Sequence, residues 1–146
     1  QIINYKNNMR ILRYLIIMLF ITNNVNANNS YFSEGLTLFE KKELDKAKFK
    51  FEQDIVFNPK SEKSYLYLSK IFNIKKEKEL EEKNLNTVIL LNPNNEEAVF
   101  NLAELRLGQS NYKESKKLTD KLLKICKKYC LKGKSLKVEI ENSLKK

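Results

Sequence analysis

The residues that could carry chemistry are few. Among 146 residues there is no histidine and there are three glycines, too few for a phosphate-cradling loop. Glu77, Glu79, Glu81 and Glu82 are interleaved with lysines in a helix-like run, the pattern of a solvated helix face rather than of a catalytic acid and base. Nothing clusters as metal ligands, so the chain reads as non-catalytic, with no cofactor and no metal. The exception is Cys126 and Cys130 in "CKKYC". Spacing of i, i+4 on a helix puts both on one face, about 6 Å apart at Cα, inside the range a disulfide spans. An intramolecular bridge is the first expectation, and its short loop contributes little chain-entropy stabilisation. One buried cysteine beside a free thiol, or a redox pair, are the alternatives, although the motif is not C-x-x-C.

Charge is the second chemical feature. The chain carries 28 Lys plus Arg against 18 Asp plus Glu, a net +10. The excess is local: residues 28–109 hold 13 basic and 14 acidic residues, whereas residues 110–146 hold 12 and 4. A basic end of this kind either keeps an exposed face soluble or attracts an anionic surface. It lacks the interleaved aromatics of a single-strand platform, and no nucleic-acid partner is expected.

An address precedes any fold. After Met9, Arg10 and Arg13 lead into an apolar run, Tyr14 to Ile21, and then into polar residues ending Val25-x-Ala27. This has the form of a secretory signal peptide cleaved after Ala27, with residues 1–27 comprising it and an upstream extension. A retained anchor is the alternative, but the run has 8 residues where a span needs about 20. The expected location is periplasmic or secreted, with membrane contact only transient, through the signal.

What positions these groups is a repeat. "VFNPKSEKSYLYLSKI" at 56–71 is echoed by "LLNPNNEEAVFNLAEL" at 90–105, and the two prolines, Pro59 and Pro93, stand 34 residues apart. Small residues follow the same period at Gly35, Ser69 and Ala103. Apolar positions at helical spacing follow it too: Tyr31 and Leu38, then Tyr65, Leu68 and Phe72, then Val99, Leu102 and Leu105. Each Asn-Pro with its polar clump ends one helix, and Ser61 or Asn95 can cap the next.

With period 34, Gly35, the Ala47-x3-Phe51 pair and Pro59, the chain resembles the tetratricopeptide repeat family. The resemblance implies an all-α solenoid of about three helix-turn-helix units, 28–61, 62–95 and 96–129, closed by a capping helix over 130–146. In that cap Leu136, Ile140 and Leu144 recur every four residues. Departures are Glu34, Glu81 at a small-residue site, Arg106, Thr119, and Lys127 where the pattern has Pro.

The family also implies a concave groove that holds a protein or peptide partner. Its groove positions map onto Phe32, Leu36 and Phe39, then Lys63, Tyr67, Lys70 and Asn73, then Phe100, Asn101 and Glu104. The subgroup that clamps chaperone tails uses Lys and Asn where this chain has Phe32 and Leu36, so that clamp is absent. Phe32, Leu36 and Phe39 either bind a ligand or pack against the N-terminal segment or another copy, which leaves self-association through the first repeat open. Two functions follow as expectations: an exported protein-interaction scaffold, or a basic envelope-surface or membrane-associated protein attached through its Lys-rich end. The cleavage signal predicts that the native protein begins at Asn28, which the intact mass of protein purified from its own compartment checks.

Overall fold

Proline has no amide donor and biases the residue before it away from helix, and helices duly stop ahead of Asn58-Pro59 and Asn92-Pro93. The computed structural model describes residues 27–145. Among them are seven helices: α1 Ala27–Glu40, α2 Leu44–Phe57, α3 Glu62–Ile74, α4 Lys78–Leu91, α5 Glu96–Gly108, α6 Tyr112–Ile125 and α7 Cys130–Ser143. The expected signal segment lies outside the described residues. None of the described helices is long and apolar enough to cross a membrane.

The 34-residue period is written into the helix boundaries. Helices α2, α4 and α6 begin at residues 44, 78 and 112; α3, α5 and α7 begin at 62, 96 and 130. The turn inside each unit repeats as well, with a left-handed residue at Lys42 (φ 62°), Lys76 (φ 61°) and Ser110 (φ 58°). Behind each, an amide reaches back to the preceding helix: Glu43 N–H to Leu38 O (3.0 Å), Glu77 to Phe72 (2.9 Å), Asn111 to Arg106 (2.9 Å). This six-residue closure satisfies carbonyls that the helix end would leave unpaired.

Units are tied by a second recurring contact. Glu62, first in α3, accepts hydrogen bonds from the side-chain amides of Asn92 (3.0 Å) and Asn95 in the loop one unit on. Glu96, its counterpart in α5, accepts from the backbone N–H groups of Lys128 and Tyr129, both at 2.8 Å. The third turn has Lys127 where proline stood twice, and Cys126 and Cys130 close it instead, with sulfurs 2.08 Å and Cα atoms 5.2 Å apart. The cysteines therefore do not share a helical face, as i, i+4 spacing implies. Cys126 is the extended residue capping α6, and Cys130 opens α7.

Helix pairing depends on the small-residue positions. A Cβ added to Gly35 would lie 2.7 Å from the ring of Phe51, which is wholly buried. In the third pair the backbones come close enough for the Ser115 hydroxyl to donate to the Ala103 carbonyl at 2.8 Å. Glu81 does not force α4 off α3: it lies 4% exposed and accepts from Asn73 Nδ2 at 2.9 Å, its chain running along the seam. Thr119 is likewise buried, donating to Ser115 O (2.9 Å), and Arg106 pairs with Glu82. The next position in the series, residue 137, carries lysine.

Two other expectations change. Asn95 caps α5 by accepting from Ala98 N–H (2.8 Å), but Ser61 makes no such bond to α3 and donates instead to the buried carboxylate of Asp54. Leu136 and Ile140 bury against α6, whereas Leu144, past the end of α7, is 57% exposed. The apolar interior falls into two clusters, one around Phe51 and Phe72 in the first two units, the other running from Leu66 to Ile140.

Gly35→Ala is expected to destabilise the fold by about 1–3 kcal/mol, because the buried Phe51 ring has to move. Gly108, with nothing within 4 Å of an added Cβ, is the control: Gly108→Ala is expected to be neutral or stabilising. Urea unfolding of both variants checks the contrast.

Candidate functional site

One face of α1, α3 and α5 supplies the side chains that the repeat phase assigned to the groove. At its N-terminal end they form an aromatic wall. Tyr67 from α3 stacks on Phe51 (centroids 5.3 Å) and receives the edges of Phe32 (5.8 Å) and Phe39 (5.2 Å) from α1. Both α1 rings are half-buried, and Leu36 stands partly exposed between them. Phe39 is therefore both a groove residue and a packing residue, and the two roles are not separable by one substitution there.

Cations lie over these rings. Lys63 Nζ is 5.9 Å above Phe32, and Lys70 Nζ is 4.5 Å above Tyr67 while bonded to Glu97 at 2.7 Å. The same arrangement recurs at the other end, where Lys132 of α7 stands 4.8 Å over Tyr129 and 5.4 Å over Phe100. Phe100 lines the groove but is mostly covered. It is 8% exposed and packed on Tyr129 at 5.5 Å, a wall of the groove rather than an open contact.

Between the ends lie two clefts. One, about 310 Å³ between α3 and α5, is lined by Ser69, Lys70, Asn73, Ile74, Glu81, Asn101, Glu104 and Leu105. The other, about 380 Å³ between α5 and α7, is lined by Glu97, Phe100, Tyr129, Lys132 and Glu139 among others, and shares Asn101 and Glu104 with the first. Lys70, Asn73, Asn101 and Glu104 thus come together as the sequence placed them, while Glu81, Glu97, Tyr129, Lys132 and Glu139 were not foreseen. Part of the missing signal was available: residue 135, which also lines the second cleft, follows Asn101 by 34, so carrying the groove phase into the tail finds α7. Glu81 could not be found so, because it enters the groove from α4.

The groove is acidic at its centre. Burial raises the proton affinity of Glu81 above that of an ordinary glutamate, opposed by the Asn73 bond and by Lys78. Glu104 is raised by burial too, with Lys132 opposing and Glu139 and Glu81 adding repulsion. No group of three or more metal-binding side chains occurs among the described residues.

This architecture is found in solved structures. The type III secretion translocator chaperone SycD of Yersinia enterocolitica superposes with a TM-score of 0.78 at 12% identity, over 88% of this chain and 94% of that one. The first TPR of Spaghetti (RPAP3), bound to an HSP90 peptide, matches at 0.74 and 15%, over 82% and 94%. The TPR2B domain of yeast Sti1, in a complex with an Hsp70 peptide segment, matches at 0.73 and 14%, over 79% and 96%. The fold is the tetratricopeptide solenoid. No family model matches the sequence, and no curated protein does. The tetratricopeptide arrangement explains why one helix of each pair faces the groove while its partner faces outward.

For a group raised as Glu81 is, the stabilising contribution is complete below the ordinary glutamate value and is lost as pH rises through the folded-state value. Glu81→Gln keeps an acceptor for Asn73 and removes the charge. It is expected to raise the melting temperature at pH 7, with the gain vanishing near pH 4, as calorimetry at both pH values checks.

Proposed function

We propose that the chain is a protein-interaction module that holds an extended segment of a partner in its concave groove and performs no catalysis. The observation that carries this reading is the pair of clefts along α3, α5 and α7, which meet at Asn101 and Glu104. Peptide occupancy in two of the similar solved structures supports it. The groove lacks the Lys and Asn pair of the chaperone-tail clamp, so its ligand is of another chemistry. The site of action is the periplasm or another secretory compartment. Support for that comes from the sequence pattern ending in Val25-x-Ala27 and from the Cys126–Cys130 bond, which an oxidising compartment maintains.

A second reading has its own observation. Lys113, Lys116, Lys117, Lys121 and Lys124 line a shallow depression on the outer side of α6 with Asp120 as its one acid. Such a face attaches to anionic envelope or membrane surfaces, and attachment of that kind is lost by a few hundred millimolar salt.

Selection from a phage-displayed random 12-residue library separates the two. The groove reading expects enriched peptides that survive high salt and are lost on Asn101→Arg, with helicity and melting temperature unchanged. Peptides lost instead on combined Lys116→Glu and Lys124→Glu substitution place binding on α6.

A further inference from the structure

Most polar side chains of the groove already have partners. Lys70 is held by Glu97, Asn73 donates to Glu81, and the Ser69 hydroxyl donates to Leu66 O at 2.7 Å. Asn101 and Glu104, neighbours on one face of α5, make no hydrogen bond and no ion pair among the described residues, yet both line both clefts. They are the groups a ligand has to satisfy.

Their surroundings state the chemistry. The Glu104 carboxylate, exposed on α5, shares the two clefts with Glu81 and Glu139, both of which repel it. Lys132, the cation that acts on it, is held over the rings of Tyr129 and Phe100. An underpaired carboxylate in such a place gains from a cation brought by the ligand and rejects an anion. In a chain with ten more basic than acidic residues, this groove is a local reversal of sign.

The aromatic wall stands on the preceding groove helices, Tyr67 on α3, the one before α5, and Phe32 and Phe39 on α1, one further back. Packed helices lie about 8–10 Å apart, and an extended peptide advances about 3.3 Å per residue. At about that spacing per groove helix, Tyr67 lies about three residues of extended peptide from Glu104, and Phe32 and Phe39 about six.

We propose that the groove selects an extended segment carrying lysine or arginine about three to six positions from an apolar residue. The basic head meets Glu104 with Glu81 and Glu139 behind it, Asn101 reads the intervening backbone, and the apolar side chain lies on the wall. This deepens the peptide-holding reading and rests on it.

The same library tests it through the composition of the selected peptides. They are expected to share an apolar residue and a lysine or arginine at that spacing. In a synthetic selected peptide, glutamate in place of the basic residue is expected to weaken binding at least tenfold by fluorescence anisotropy. Glu104→Lys, on the open side of α5, is expected to keep its helicity and invert the preference toward the glutamate peptide. Selected peptides that depend on Asn101 but lack the basic residue, or bind Glu104→Lys equally well, overturn the charge rule and leave the groove standing. A library yielding no peptide sensitive to Asn101→Arg overturns both.

Discussion

The close approach of two helices at a small residue is the constraint on which the molecule rests. At Gly35 the missing side chain is the space into which Phe51 fits, and the same ring then supports Tyr67 of the next unit. Seam and groove are thus two sides of one contact: the ring that locks α1 to α2 also forms the floor on which Phe32 and Tyr67 stand. A shift at the seam would move the aromatic wall with it, because interiors packed at this density transmit displacement rather than absorb it.

Much of the fold was legible because it is repeated. Pro59 and Pro93, or Gly35, Ser69 and Ala103, are each weak signals alone, but a shared period makes them mutually supporting, and the helix boundaries follow it. What failed to read was local chemistry that replaced the pattern without changing the geometry. Glu81 looked too large for its seam position; a long side chain lying along the seam with Asn73 as donor fills the same space lengthwise. Lys127 broke the proline series, and the Cys126–Cys130 bond closes the turn that proline marks elsewhere, with Glu96 accepting there as Glu62 does one unit earlier. Spacing of four residues reads as one helix face only if the helix continues, and at Cys126 it stops.

The groove was legible in position but not in character. Repeat phase placed Lys70, Asn73, Asn101 and Glu104 together, yet it could not say that Lys70 is already committed to Glu97 or that Phe100 is covered by Tyr129. Those facts depend on Glu97 in the first turn of α5 and on Tyr129 at the entry to α7, neither of which is among the groove positions that the repeat phase names. Charge behaves in the same way. The basic excess of residues 110–146 is a property of the sequence, but its distribution over surfaces is set by packing, which turns the α6 lysines outward and leaves carboxylates inside the curve.

Lysine at position 137 has a consequence beyond the unit that contains it. At the three earlier seams a small side chain admits a neighbouring helix; here a long, charged one stands at the corresponding place on α7. A second molecule offering its own outer helix to that surface would have to bury an ammonium group against carbon, at a cost that head-to-tail contact does not recover. Solenoids are modular enough to stack end upon end, and such open contacts, lacking rotational closure, build fibres. Lysine at that place on α7 thus sets a charge against this mode of extension, where the earlier seams set none.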